Sequence, residues 1–272
     1  MNHLIETTRE GSVPASELSD WALSHGVTSL STEEVMHLCS LPANQVSQRM
    51  APLRKSAKVF SPARGLWVPI PPEYRTWGAP DPMGYIDDMM AHLGADYLVG
   101  WLTAAERHGA SHHAAQVFQV ATGKTVRARA FGRSRLEFYA RGYVGSATRS
   151  AALLRKTGVR VASPGTTMLM LAADAGICGG VANVANLVVE LAEEHPGFGA
   201  EAVADAPLFP DAAARRLGWL LDAFGSGAPD GLAGYCASLE SGPSFLSPSS
   251  ARTGKLDARW MIIVNEEVDP DI

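Results

Sequence analysis

The sequence predicts an α+β protein of two domains: an N-terminal winged helix-turn-helix domain and a larger mixed α/β C-terminal domain. Three observations predict this. Residues 31–70 have the pattern of two short helices followed by two strands, and residues 97–139 combine a helical pattern with three strand patterns. Between them lies a stretch rich in Gly and Pro at 78–82. The domain boundary is therefore placed near residue 80, which gives domains of 1–80 and 81–272.

The paired helices of the first domain have recognisable start and stop signals. Ser31 can cap the first helix, and Glu34 three residues later completes a capping box. Leu41 before Pro42 marks a break, because the residue before a proline disfavours the α conformation. The second helix then repeats apolar residues at helical spacing, namely Val46, Met50 and Leu53. Pro52 lacks a backbone donor and is expected to kink or end this helix near Ala51.

A further helix and a hairpin complete the first domain. Leu18, Trp21 and Ala22 follow helical spacing before Gly26, and residues 58–60 and 66–70 read as two strands around a turn. A helix, a helix-turn-helix and a β-hairpin in this order are typical of a winged helix.

The second helix and the hairpin carry the candidate DNA contacts. Residues 44–75 contain six cations and one anion, Glu73, and the polar face of the second helix can reach bases and phosphates. The candidates in this domain are Asn44, Ser47, Gln48, Arg49, Arg54, Lys55, Lys58 and Arg64. The alternative is a winged helix that docks a protein and does not bind DNA. The position of the cations favours DNA.

Charge is distributed unevenly along the chain, whose net charge is −5. Residues 1–160 hold 18 Lys and Arg against 13 Asp and Glu, whereas residues 161–272 hold 5 against 15. The segment 124–160 has ten cations and a single anion, Glu137. It predicts a second DNA-contacting surface that includes Arg133 and Arg135. Alternatively, these arginines only cover the solvated face of a sheet.

The pattern of the second domain mixes helices and strands. Helices are predicted at 84–93, 97–108, 166–176, 184–194 and 213–225, the last capped by Asp211. Strands are predicted at 116–121, 126–131, 135–139, 160–162 and 259–265, with the first three forming a β-meander. Residues 195–210 read as a loop, and residues 225–254 read as irregular because they are rich in Gly, Ser and Pro.

Several fragments fail as catalytic or metal sites. The run 121–125 ends like a phosphate-binding P-loop, but Phe118 stands where the motif needs glycine. His108, His112 and His113 have no carboxylate or cysteine at a ligand offset. Asp87 and Asp88 are neighbours on a helix and diverge by about 100°. The sequence therefore predicts no catalytic residue, no metal site and no cofactor, and favours a regulator over an enzyme.

Three cysteines, Cys39, Cys178 and Cys236, lie far apart and are expected to be free thiols in a reducing cytoplasm. No apolar run approaches the roughly 18 residues of a membrane span. The N-terminus lacks the layout of a signal peptide. A cytoplasmic protein is expected.

Four segments resemble the C-terminal domain of AbiEi, the antitoxin of AbiE type IV toxin–antitoxin systems. They are YLVGWLTAAERHGASHHAAQVFQVAT (97–122), RVASPGTTMLMLAADAGICGGVANVANLVVELAEE (160–194), AARRLGWLLDAFG (213–225) and RWMIIVNEEVDPDI (259–272). The chain departs from the family at Pro52 and over 226–254. The resemblance implies a winged helix that binds inverted repeats in its own operon promoter and represses transcription. It also implies a C-terminal domain that counters a nucleotidyltransferase-type toxin without a stable complex.

Two other hypotheses compete with the autorepressor and antitoxin. A protein-interaction module would form a stable complex and bind no promoter DNA. An enzyme acting on nucleic acid or nucleotides would need a bound metal, held by the histidines or the acidic C-terminal half.

Overall fold

The computed structural model describes residues 5, 8–110, 117–147, 152–153 and 158–270. Its N-terminal part has helices α1, α2 and α3 and strands β1, β2 and β3. Their bounds are α1 Leu18–Ser24, β1 Leu30–Ser31, α2 Thr32–Cys39, α3 Ala43–Lys55, β2 Val59–Ala63 and β3 Leu66–Pro69. The strands form an antiparallel sheet in the order β1-β3-β2. The three helices and the β2–β3 hairpin follow one another in the predicted order, whereas β1 was not predicted.

The corner between α2 and α3 follows the local signals. The Glu34 amide donates to Ser31 Oγ at 3.2 Å, and the Ser31 amide donates to the Glu34 carboxylate at 2.7 Å, which confirms the capping box. Helix α2 ends at Ser40 in the left-handed conformation, with φ +50°. Pro42 then stands immediately before α3. The turn therefore spans three residues, as the break at Leu41-Pro42 predicts.

The expectation that α3 ends near Ala51 is wrong. The helix continues through Pro52 to Lys55. Pro52 lies exposed in the last turn, where the carbonyl that loses its donor can bind water. The predicted stripe on the opposite face is buried, with Met50 at 0% exposure, and this packing holds the helix together past the proline.

Among the described residues, the larger part of the chain has eight α-helices. They are α4 Ile86–His92, α5 Trp101–Arg107, α6 Val144–Ala147, α7 Pro164–Ala173, α8 Val181–Glu194, α9 Phe198–Asp205, α10 Asp211–Phe224 and α11 Asp230–Ala237. Its strands are β4 Tyr97–Val99, β5 Phe118–Thr122, β6 Arg129–Phe131, β7 Ser134–Ala140, β8 Ala152–Leu153, β9 Arg160–Val161, β10 Ser244–Phe245, β11 Lys255–Asp257 and β12 Ile262–Val264. The fold is therefore mixed α/β, as predicted.

The run 97–108 is not one helix. Its first three residues form β4, which is fully buried between β5 and β9, and only Trp101–Arg107 is helical. A short strand buried on both faces is apolar throughout, so its pattern cannot be told from that of a buried helix. Gly100 separates the two elements where a Cβ would overlap the Met170 side chain.

The predicted β-meander is also wrong. The six-stranded sheet has the order β6-β7-β5-β4-β9-β8, and β5 pairs with β7 in parallel. Strand β6 pairs antiparallel with β7 on its outer side and forms the edge of the sheet. The connection from β5 therefore crosses beyond the position of β7 before the chain returns, which strand patterns alone do not specify.

Helices cover the sheet around α7. Met168 and Leu171 are fully buried, and α7 packs against α5, α8, α9 and α10. A helix that is apolar on all sides requires such complete cover.

Three expectations for the C-terminal third are wrong. The predicted loop at 195–210 contains α9, and the irregular segment 225–254 contains α11 and β10. Asp211 is the first residue of α10 rather than its cap, because its carboxylate accepts a hydrogen bond from Ser241. The predicted final strand is found at β12, which pairs with β10 and β11.

The sheet of the N-terminal part contributes side chains to two hydrophobic cores. Val59 and Trp67 pack with the three N-terminal helices. Phe60 and Val68, the next residues on the same strands, pack into the core of the larger part. Successive side chains of a strand point to opposite faces, so this small sheet lies between the two cores and joins them.

Candidate DNA-binding surface

Helix α3 presents a polar stripe directly opposite its buried side. Successive residues rotate by about 100°, so Asn44, Gln48 and Lys55 point away from the stripe that contains Met50. All three are exposed, and α3 contains no acidic residue. We call Asn44, Gln48 and Lys55 the outer stripe. An amide or ammonium group in this position can donate to base edges or phosphate oxygens.

The other candidates on α3 lie on its flanks. Ser47 and Arg54 are exposed on one side of the outer stripe, and Arg49 is exposed on the other. Arg49 lines an open groove between α3 and the residues just before α1. The groove is lined by Ala15, Ser16, Gln45, Gln48, Arg49, Pro52, Leu53, Ser56 and Lys58. The structure thus brings Gln48, Arg49 and Lys58 together on one side of α3.

Lys58 is already engaged by an acidic residue. Its ammonium lies 2.9 Å from the Asp20 carboxylate, and Arg75 lies 3.6 Å from the same group. Asp20 belongs to α1, so these contacts fasten the segment after α3 to the first helix. Lys58 would have to give up or share Asp20 to contact phosphate.

Arg64 lies at the opposite end of the hairpin from Lys58. At about 3.3 Å per strand residue, β2 separates the two by roughly 15–20 Å. Hydrogen bonds to two carbonyls hold the hairpin turn. Thr32 donates to the Gly65 carbonyl from its amide at 2.8 Å and from its hydroxyl at 3.2 Å, and His92 Nε2 donates to the Arg64 carbonyl at 2.9 Å. The Arg64 side chain is exposed. The structure therefore does not bring Arg64 next to the α3 cations.

Several cations of the segment 124–160 serve local contacts. Lys124 donates to the Leu93 carbonyl at 2.7 Å, and the Arg160 guanidinium lies 4.6 Å from the Tyr97 ring centroid. Arg160 also lies 3.8 Å from both Asp87 and Asp96. Arg149, Arg155 and Lys156 lie outside the described residues. The positive charge counted in the sequence is therefore partly neutralised where the structure describes it.

Arg133 and Arg135 stand at the β6–β7 turn and are both exposed. Arg135 lies 2.8 Å from Glu137, while its own side chain stays 65% exposed. The Arg133 amide donates to the Trp77 carbonyl at 3.1 Å. Phe131, in the same hairpin, meets Phe60 of β2 with ring centroids 5.2 Å apart. The turn that bears Arg133 and Arg135 is therefore docked against the N-terminal part.

A polar cluster centred on Asp174 is absent from the predicted sites. Arg141 donates to both Asp174 oxygens, at 3.0 and 2.8 Å, and Trp101 Nε1 donates to Oδ2 at 3.2 Å. The hydrogen bond to Asp174 raises the pKa of Arg141. Trp101 has φ +48°, a strained value for a bulky residue. In the sequence, the one sign of this cluster was the pair Gly100-Trp101 directly after an apolar run.

Two of the histidines that the structure describes, His108 and His195, hydrogen-bond to backbone carbonyls. His108 Nε2 donates to the Ala162 carbonyl at 2.7 Å, and His195 Nε2 donates to the His108 carbonyl at 2.8 Å. His112 and His113 lie outside the described residues. Burial raises the pKa of the Cys39 and Cys236 thiols to about 11, so both are protonated at neutral pH.

Among the described residues, no three His, Cys, Asp or Glu side chains are placed to hold a metal. Asp87 and Asp88 do separate, as predicted: Asp87 accepts from Tyr97 and Asp88 from Thr28. None of the helices searched in the described part of the chain is long and apolar enough to span a membrane.

The C-terminal part matches a known family. Residues 98–223 match the family described as the AbiEi antitoxin C-terminal domain. The crystal structure of the RV2827C protein from Mycobacterium tuberculosis superimposes with a TM-score of 0.66 at 16% identity, covering 92% of this chain and 90% of that chain. At this identity the likeness shows a shared fold only. No curated protein matches the sequence.

The family match agrees with the resemblance noted in the segments 97–122, 160–194 and 213–225. Its range begins in β4 and ends in α10, so it includes the six-stranded sheet and most of its helical cover. Residues 98–223 are therefore an AbiEi antitoxin C-terminal domain.

Proposed function

We propose that this antitoxin is also a DNA-binding autorepressor, whose N-terminal winged helix binds inverted repeats in its own operon promoter. The observation that carries the proposal is the outer stripe: three exposed side chains that can donate hydrogen bonds, on a helix without acidic residues. Phosphate contacts supply sequence-independent affinity, and amide side chains such as Asn44 and Gln48 can read bases.

We further propose that the protein counters a nucleotidyltransferase-type toxin in a type IV system, in the cytoplasm and without a stable complex. The support is the AbiEi domain at 98–223. The protein carries out no catalysis in this proposal. A stable complex with a co-expressed toxin on size-exclusion chromatography would contradict this part of it.

The DNA proposal is tested with duplex from the region upstream of the gene. Lys55→Ala and Arg49→Ala should each weaken binding, and each lost phosphate contact should lower the salt slope by about 0.9. Arg252→Ala is the matched control, because Arg252 is an exposed cation in a different part of the fold. Unchanged affinity in both α3 variants, or no binding at low salt, would favour a protein-docking winged helix instead.

The second surface is proposed to extend this contact to Arg133 and Arg135. Reversing both charges with Arg133→Glu and Arg135→Glu should lower the salt slope for the duplex. This decrease should add to the one caused by the α3 variants. An unaltered slope would mean that these arginines only solvate the edge of the sheet.

A further inference from the structure

A groove of about 350 Å³ lies between the segment after β3, helix α5 and the β6–β7 turn. Its volume falls within the range of small-ligand pockets. Its lining combines aromatic side chains with three arginines and two carboxylates, namely Tyr74, Trp77, Phe118, Arg107, Arg133, Arg135, Asp81 and Glu106. We call it the linker groove. It lies apart from the outer stripe of α3, and neither Lys55 nor Arg49 lines it.

Trp77 is the most exposed large hydrophobic residue among those described, at 50%. Its ring meets that of Tyr74 edge-on, with centroids 5.8 Å apart and an interplanar angle of 80°. This contact supports the indole from one side while half of its surface stays open. An exposed tryptophan at the rim of a groove indicates a contact site for a planar, apolar group.

The backbone holds Trp77 and Arg133 at a fixed spacing. The Arg133 amide donates to the Trp77 carbonyl at 3.1 Å. Gly78 and Gly132 pack against each other, both with positive φ, and a Cβ at Gly132 would overlap the Trp77 carbonyl oxygen. The two glycines thus allow an approach that other residues would block. The backbones from which the indole and the guanidinium project are therefore held side by side at the linker groove.

The three arginines of the linker groove differ in their ion pairing. Arg107 lies 3.0 Å from Asp81, which neutralises that carboxylate, and Arg135 lies 2.8 Å from Glu137. Arg133 is exposed and, in the part of the chain that the structure describes, has no ion-pair partner. A free guanidinium beside a supported indole matches a phosphate beside an unstacked base.

We propose that the linker groove binds single-stranded nucleic acid, with a base stacked on Trp77 and a phosphate paired with Arg133. A duplex fits less well, because both faces of each of its bases are already stacked. The inference rests on the proposed function at one residue, because Arg133 is also proposed to belong to the second DNA-contacting surface. The outer stripe of α3 takes no part in it.

The test uses fluorescence anisotropy with short labelled dT and rU homopolymers and with a random duplex. Trp77→Ala should weaken binding of the homopolymers roughly 5- to 100-fold. Arg133→Ala should lower their salt slope by about 0.7. Leu256→Ala, which removes the other exposed large hydrophobic residue, and Arg252→Ala should change neither. A higher affinity for rU would assign RNA, a higher affinity for dT would assign DNA, and equal affinity would assign single strands of either sugar.

Further variants separate the inference from the proposed function. Lys55→Ala should weaken the operator duplex and leave homopolymer binding intact, and Trp77→Ala should do the reverse. If Trp77→Ala weakens duplex and single strand equally, the linker groove is only part of the duplex surface and the inference fails while the repressor stands. The absence of homopolymer binding at low salt, or its persistence in Trp77→Ala, overturns the inference directly. Because Trp77 and Arg133 are exposed, circular dichroism should show both variants folded.

Discussion

The Phe60 ring meets the Tyr85 ring edge-on, with centroids 5.1 Å apart and an interplanar angle of 79°. Phe60 lies on β2 of the N-terminal sheet, whereas Tyr85 immediately precedes α4 of the larger part. Both side chains are buried, at 8% and 1% exposure. The N-terminal sheet is thus connected to the larger part through a shared core as well as through the chain.

This contact predicts that the two parts unfold together. Phe60→Ala should lower the free energy of unfolding by about 3–5 kcal/mol, because it leaves a cavity between the sheet and the larger core. Denaturant unfolding followed by circular dichroism and by tryptophan fluorescence should give coincident transitions. Phe60→Leu, which keeps much of the volume, should cost far less. Two separate transitions, with only one shifted by Phe60→Ala, would show independent domains.

The Asp174 cluster predicts a measurable coupling between Asp174 and Arg141. Asp174→Asn weakens the charge-assisted bonds from Arg141 and should cost about 1–2 kcal/mol, a modest value because both side chains are partly exposed. Trp101 emission should also change, since its indole nitrogen donates to the same carboxylate. A double-mutant cycle with Arg141→Met measures the coupling. A coupling energy near zero would mean that the interaction between Asp174 and Arg141 does not stabilise the folded protein.

The close approach of the backbone at Gly132 predicts that one added methyl group strongly destabilises the protein. Gly132→Ala should destabilise the protein by about 2–4 kcal/mol, combining left-handed backbone strain at φ +54° with overlap on the Trp77 carbonyl. Gly109→Ala is the matched control, because Gly109 also has positive φ but, among the described residues, has no atom within 4 Å of an added Cβ. Equal losses of stability in thermal melts would mean that strain alone accounts for the effect.

His108 predicts a pH dependence of stability. Burial lowers the pKa of His108 below its usual 6.5, an effect that the bond to the Ala162 carbonyl partly opposes and the neighbouring His195 reinforces. Below about pH 6.5 the unfolded chain binds a proton that the folded protein resists, so stability falls as the pH decreases through this range. The contribution is fully present above the unfolded pKa.

Thermal melts between about pH 7.5 and 5.5 measure this effect, with the usual histidine pKa at the centre of the range. His108→Gln keeps a donor for the Ala162 carbonyl and should reduce the loss of melting temperature on acidification. An identical pH profile in the variant would assign the dependence to other groups.

Local signals in the sequence were reliable wherever neighbouring residues decide the structure. Ser31 and Glu34 form the predicted capping box, and Val46 and Met50 form the predicted buried stripe. The expected interruption at Pro52 did not end the helix, because burial of the opposite face stabilises the last turn. The family resemblance was confirmed over 98–223. The DNA-contacting roles of the α3 residues stay a prediction.

The missed features share a physical cause. Tyr97–Val99 reads as helix because a strand buried on both sides shows no alternation. The parallel pairing of β5 and β7 depends on where the chain between β5 and β6 crosses the sheet. The linker groove depends on contacts between Trp77 and a hairpin more than fifty residues later in the chain. None of these is encoded in a local pattern.

The amino-acid sequence by itself determined the order of the three N-terminal helices and the hairpin, and the N-terminal cap of α2. The order of these elements and the cap follow from short-range sterics, hydrogen bonding and periodicity, which act over a few residues. The family of the C-terminal part came instead from the resemblance of long segments to AbiEi, which the match over 98–223 confirms. Tertiary structure alone decided that Phe60 enters the larger core, that Arg141 and Arg160 are held in local contacts, and that Trp77 stands beside Arg133. These depend on how buried area is shared among distant segments, a property of the whole packed chain.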